Sequence, residues 1–267
     1  MSSLRFADRL MERCRRLHNP TVMGLDPNLS YLPPQLLAEL CGAGLSGSEL
    51  VAEAFLRFNR ALLESCADLV AAVKFQSACY EQYGSAGIAV LEKSLDEAKK
   101  MGYLTIIDAK RNDIGSTASA YARALIGSSP VLDASGVPCE ETILDADAVT
   151  VNAYLGSDGV KPFLELCAAR DKGCFLLVRT SNPSAAELQD LDLADGRKFY
   201  EAVADLVASW SETLDAGADW SSLGAVVGAT WPEQAEALRR RMPRQIFLIP
   251  GYGAQGAGAK DAVRSFV

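Results

Sequence analysis

A parallel α/β barrel is the fold class this sequence predicts, and three observations point to it. Short apolar runs rich in β-branched residues alternate with longer stretches of helical period, the pattern of repeated βα units around a parallel sheet. A polar, charged or glycine residue follows each run, as at the carboxyl ends of barrel strands. The chain has 267 residues, close to the ~250 of a one-domain barrel.

The strand runs lie at 21–25, 69–73, 104–107, 148–151, 174–178, 225–227 and 246–249. Most are continuously apolar, as strands covered on both faces must be. Between them, 49–64, 87–100 and 198–214 carry apolar residues at spacings of three and four, which predicts amphipathic helices. The residues that close the runs are Asp26, Lys74, Asp108, Asn152, Arg179 with Thr180, Gly228 and Gly251, and in a barrel these points converge on one face. The segment 126–143 mixes Ser, Pro, Gly and Asp without a period and reads as an inserted loop or lid within a single domain spanning 1–267.

Composition excludes several function classes. With 26 basic against 34 acidic side chains (net −8), the chain lacks the basic face needed for nucleic acid or anionic membrane, so any anionic ligand must be captured locally. No apolar run reaches the ~18 residues of a membrane span, and the charged start MSSLRFADRLMERCRR has no signal-peptide core. A cytoplasmic protein is expected. The seven cysteines are odd in number and scattered, with no C-x-x-C pair, so neither a disulfide framework nor a zinc site is expected. They are read mostly as small buried hydrophobes. His18 is the sole histidine and is expected at the surface near a helix end, which leaves proton transfer to Lys, Asp, Glu, Tyr or Cys.

The most informative stretch is 104–122, LTIIDAKRNDIGSTASAYA. After a buried strand, Asp108 and Lys110 stand two apart, which in extended backbone places both side chains on one face, and Asp113 opens the next helix. Spacing alone leaves two readings open: a helix N-cap at Asp113 with a stabilising Asp108–Lys110 pair, or an array of charges that does chemistry. Lys74 is either a solvated strand-end lysine or a site residue, and Asp26 either caps the turn before Pro27 or binds a ligand. The glycines of 250–258, PGYGAQGAG, serve either a turn or the close approach of backbone N–H groups to phosphate.

The segment DAKRNDIGSTA at 108–118 resembles the signature of the orotidine 5'-phosphate decarboxylases, in their longer bacterial (type 2) subgroup. Further segments resemble that family in the same order: GLDP at 24–27, AVKFQSACYEQYG at 72–84, VTVNAYLGSDGVKPF at 149–163, RTSNPSA at 179–185, VVGAT at 226–230 and IPGYGAQGAG at 249–258. The resemblance implies a TIM (β/α)8-type barrel that converts orotidine 5'-phosphate to UMP and carbon dioxide, in pyrimidine nucleotide synthesis, without metal or coenzyme. It places Lys74, Asp108, Lys110 and Asp113 in a catalytic array of alternating charge. It also implies a homodimer in which Asp113 and Thr117 enter the neighbouring subunit's site. Asp26 becomes a ribose-hydroxyl ligand, Ser181 a contact to the pyrimidine ring, and Gln255 with Gly256 part of the phosphate loop. Ser184 departs from the family, where glycine is common at that position.

The chemistry of that reaction explains the array. Loss of carbon dioxide from C6 leaves a localised carbanion, which only a preorganised cation can stabilise when no coenzyme delocalises it. Lys110 takes that role and then delivers the proton. On this resemblance Asp108 is expected beside the substrate carboxylate, where like charges in a water-poor site raise either the energy of the ground state or one pKa. The chain stops at Val267, where the family continues through an eighth strand and helix with a phosphate-binding arginine. Arg264 is not a substitute for it, so the sequence reads as a barrel lacking its eighth βα unit, either an incomplete chain, which the intact catalytic positions favour, or a compromised protein. Weak phosphate binding, low activity and poor solubility are expected if this sequence is all that is made. Two other readings remain: a metal-dependent phosphosugar aldolase or decarboxylase of the same superfamily, and a nucleotide-binding fragment impaired in catalysis.

Overall fold

Strands and helices alternate along the chain, and the computed structural model, which describes residues 4–251 and 258–266, divides into two compact units. The first consists of Asp8–Ala109 with Ala120–Val149, and the second of the described residues of Met1–Ala7, Lys110–Ser119 and Thr150–Val267. Among the described residues no helix is long and apolar enough to cross a membrane.

In the first unit β1 (Val22–Leu25), β2 (Ala72–Gln76) and β3 (Leu104–Arg111) pair in parallel, with Leu25 opposite Phe75 and Gln76 opposite Asp108. Parallel neighbours require long crossovers, and the helices Gly47–Cys66 and Gly84–Lys100 lie on them. Those helices pack through buried Phe55, Leu63, Val90, Leu91 and Leu95, and Asn59 crosses to donate to the Ser94 hydroxyl at 3.0 Å. β2 starts three residues later than the run 69–73 suggests, because Leu69 is exposed in the turn that ends the preceding helix. Lys74 therefore sits within the strand instead of beyond it.

The segment 126–143 contains an antiparallel ribbon, β4 (Ser129–Leu132) and β5 (Pro138–Glu141). Its turn is closed by the Asp133 carboxylate, which accepts the backbone N–H groups of Ser135 and Val137 at 2.8 and 2.9 Å. Period-two apolarity marks a strand only where one face is buried, and this ribbon is almost wholly exposed.

The second unit takes the end of β6 (Ala148–Val151) and the parallel strands β7 (Gly173–Arg179), β8 (Ser221–Val227) and β9 (Gln245–Leu248). β8 is buried at every position yet opens with Ser221 and Ser222, which is why its apolar run begins only at 225. Buried Asp215 satisfies both serines, accepting the Ser221 hydroxyl at 2.9 Å and the Ser222 N–H at 2.6 Å, and pairs with Arg5 at 3.1 Å. Gly224 is required by close packing: a Cβ there would meet the Ile246 carbonyl at 2.5 Å and the Phe175 ring at 2.6 Å.

The cysteines depart from expectation. Only Cys167 and Cys174 are buried; Cys14, Cys66 and Cys79 are half-buried, and Cys41, in the helix Pro34–Gly42, and Cys139, in the ribbon, are exposed on surfaces that apolarity alone does not identify. His18 is exposed just after the helix Phe6–Leu17, where its φ of 50° ends the helix in a left-handed turn.

Candidate active site

Three of the residues singled out by sequence come together at the carboxyl ends of β1, β2 and β3. Lys74 Nζ lies 3.1 Å from Asp108 Oδ2 and 3.4 Å from Asp26 Oδ1. In-register pairing of adjacent parallel strands produces this, since Gly24 stands opposite Lys74 and Gln76 opposite Asp108. The Lys74 and Asp108 side chains are 16% and 10% exposed, against 48% for Asp26, so the inner pair is the desolvated one. A single ammonium between two carboxylates offsets much of the cost of taking them from water.

Gln76 completes this group and was not singled out by the sequence. Its Nε2 donates to Asp108 Oδ2 at 3.3 Å, the same oxygen that faces Lys74. The signal was present, because residues two apart on a strand share a face. Beneath them Tyr80 is fully buried, donates to the Leu25 carbonyl at 3.2 Å and accepts from Asn59 at 3.0 Å. Burial pushes its phenol well above the usual range, so it remains a neutral donor to the peptide that precedes Asp26. Burial also raises the neighbouring Cys79 thiol, with the Asp26 charge adding to the effect.

Lys110 belongs to the second unit and is exposed. Its φ is 50°, a left-handed conformation that costs an L residue about 1–3 kcal/mol, and its N–H donates to Thr150 Oγ1 at 3.0 Å. Extended alternation thus ends before Lys110, and the two-residue spacing from Asp108 does not fix its face. Asp113 lies two residues ahead of the helix Gly115–Ile126 and accepts the Ile114 N–H at 2.7 Å, while Thr117 is exposed in that helix's first turn. Nearby, Ile114, Tyr154 and Leu155 are exposed apolar side chains, and Asn112 accepts the Leu155 N–H at 3.1 Å.

Ser181 is half-buried in the turn after β7. Its carbonyl accepts from the Thr230 hydroxyl at 3.2 Å, and a Cβ on Gly228 would come within 2.8 Å of its backbone. Arg179, expected among the strand-end residues of the active face, is instead fully buried after a register irregularity between Leu177 and Arg179. Such irregularities redirect side chains. Gln255 and Gly256 lie outside the described residues. Among the described residues no group of three or more His, Cys, Asp or Glu is placed to hold a metal ion.

The profile of the Orotidine 5'-phosphate decarboxylase / HUMPS family matches residues 52–266. An orotidine 5'-phosphate decarboxylase of Rhodopirellula baltica is 42% identical over 257 residues, covering 96% of this chain and 81% of the relative. The chain belongs to the orotidine 5'-phosphate decarboxylase / HUMPS family. A crystal structure from Streptomyces avermitilis shares 36% identity at a TM-score of 0.77, covering 100% of this chain and 83% of that one. The Leishmania donovani OMP decarboxylase structure shares 31% identity at a TM-score of 0.69, covering 96% and 84%. The parallel βα units and these likenesses bear out the TIM-type α/β fold class. Among the described residues Asp26, Lys74, Gln76 and Asp108 form a connected polar group at the strand ends.

Proposed function

We propose that this chain is a carboxy-lyase that converts orotidine 5'-phosphate to UMP and carbon dioxide without metal or coenzyme. The observation that carries the reading is the charge group at the strand ends, Lys74 between Asp26 and Asp108, in a chain of this family. In the reaction the bond from C6 to the carboxylate breaks and its electron pair stays on C6. The Lys110 ammonium stabilises that pair, gives it a proton, and is reprotonated from solvent. Lys74 and Asp113 hold the array in register, Asp108 faces the substrate carboxylate, and Asp26 binds the ribose.

Ser181 reads the pyrimidine, and Gln255 with Gly256 contacts the phosphate. In the proposed homodimer Asp113 and Thr117 serve the partner's site, and the exposed Ile114, Tyr154 and Leu155 beside them support an interface there, because such apolar side chains gain from burial. The test is to incubate the purified chain with orotidine 5'-phosphate and a chelator and follow loss of the orotate absorbance. Turnover that persists in chelator and disappears in Lys110→Met is the expected result. Turnover that requires a divalent metal, or that survives in Lys110→Met, overturns the reading.

A further inference from the structure

The turn that carries Ser181 is held by a charged group for which the proposed chemistry has no use. Arg179 is the largest fully buried side chain among the described residues. Its guanidinium donates to Asp190 Oδ2 at 3.0 Å and to Gln189 Oε1 at 3.2 Å. It lies 4.3 Å from the ring centre of Trp231 and 5.6 Å from that of Tyr200, a cation–π arrangement. Its Nε–H has no acceptor among the described residues. An apolar side chain of similar volume would fill the space without burying a charge or orphaning a donor, so packing does not explain an arginine here.

What the arginine adds is a fixed direction for the groups that grip the next residue. Gln189 Oε1, held by Arg179, also accepts the Thr180 N–H at 2.9 Å, and Gln189 Nε2 donates to the Thr180 hydroxyl at 2.7 Å. Trp231, stacked with the guanidinium, donates its indole N–H to the Thr180 carbonyl at 3.0 Å. The Arg179 carbonyl accepts the Gly228 N–H at 2.7 Å, and the Ser181 carbonyl accepts the Thr230 hydroxyl at 3.2 Å. Both peptide groups of Thr180 are tied down, while the Ser181 hydroxyl takes no partner among the described residues. A short, fully anchored turn that presents one unoccupied hydroxyl is organised to read a ligand.

We propose that Arg179 is a positioning residue for base recognition: through Gln189 and Trp231 it fixes the Thr180–Ser181 turn and so sets affinity for the pyrimidine ring without touching it. The proposal rests on the reading of this chain as an orotidine 5'-phosphate decarboxylase with Ser181 at the base. It is tested by calorimetric titration of UMP and of ribose 5-phosphate, which lacks the base, into the parent chain, Arg179→Met and Trp231→Phe. Loss of directed hydrogen bonds is expected to weaken UMP about tenfold in Arg179→Met and about threefold in Trp231→Phe, with ribose 5-phosphate changed less than about twofold.

Equal losses for both ligands would mean a merely structural role and overturn the proposal, as would unchanged UMP affinity in both variants. If Arg179→Met does not fold, Trp231→Phe decides alone, since it keeps an aromatic ring against the guanidinium and removes only the indole donor. A parent chain that binds ribose 5-phosphate but gains nothing from the base, or that binds neither ligand, defeats the decarboxylase reading itself, and the proposal with it.

Discussion

Replacing Lys74 by Met removes the cation from between Asp26 and Asp108 while keeping a long, unbranched side chain. At 3.1 Å and an effective dielectric of about 20, the Lys74–Asp108 attraction is about 5 kcal/mol before desolvation is counted. Breaking a buried pair costs about 3–5 kcal/mol, because the stranded charge stays behind. Asp108 is 10% exposed and keeps its hydrogen bond from Gln76, and Asp26, at 48% exposed, contributes little through solvent screening. The net expectation is a loss of about 3 kcal/mol, seen in urea unfolding and as a fall in Tm of roughly 6–12 °C.

A double-mutant cycle isolates the pair. Asp108→Asn is expected to be far less damaging in the Lys74→Met background than in the parent, with a coupling of about 2 kcal/mol. Decarboxylation by Lys74→Met is expected to fall about 100-fold, the scale for removing one preorganised group. A coupling below about 0.5 kcal/mol, or near-parental turnover, would refute the claim that Lys74 fixes the Asp108 charge.

Three further outcomes follow from named contacts. Gly228→Ala would bring a Cβ to 2.8 Å from the Ser181 backbone, forcing a displacement of roughly half an ångström and about a tenfold loss in kcat/KM, measured by steady-state kinetics. Burial pushes the Tyr103 phenol up to about 12 and raises Tyr80 further, so folded-state stability is intact below the unfolded tyrosine value of about 10 and is lost as pH rises toward 12. Urea midpoints should therefore fall across that alkaline window, and less steeply in Tyr103→Phe. With an aromatic-disulfide thiol reagent, exposed Cys41 and Cys139 should react in the native protein, while buried Cys167 and Cys174, whose thiols burial also pushes up, should react only on unfolding.

Elements with an all-apolar interior were legible from sequence, and those stabilised by polar groups were not. β6 falls on 148–151 as the run of Ala148, Val149, Thr150 and Val151 indicates, since all four are buried. The first half of β8 is equally buried but is written in Ser221, Ser222 and Gly224, whose fitness depends on Asp215, Phe175 and Ile246 elsewhere in the chain. The same distinction holds at the site. Asp26, Lys74 and Asp108 were recognisable from their motifs, and strand register joins them. Gln76 reads as an ordinary strand residue, the inward turn of Arg179 depends on an irregularity opposite β8, and the left-handed Lys110 breaks the alternation its spacing implied.

On the proposed chemistry, the two donors on Asp108 Oδ2 have a consequence beyond stability. A carboxylate free to rotate would swing away when a substrate carboxylate arrived, and the repulsion would be lost to side-chain motion. Held by Lys74 and Gln76 among its contacts, Asp108 retreats at the cost of breaking them, so the repulsion stays with the substrate until carbon dioxide leaves. UMP has no such carboxylate and meets the same site without the penalty. The group would therefore penalise bound substrate and spare bound product, which favours the bond-breaking step, and the discrimination should weaken in Gln76→Leu. That variant keeps Lys74 and Asp108, so its ratio of KM for orotidine 5'-phosphate to Ki for UMP is expected to fall about threefold, a modest change because the 3.3 Å contact to the carboxylate is long. An unchanged ratio would mean that Gln76 does not restrain Asp108 and only fills the strand end.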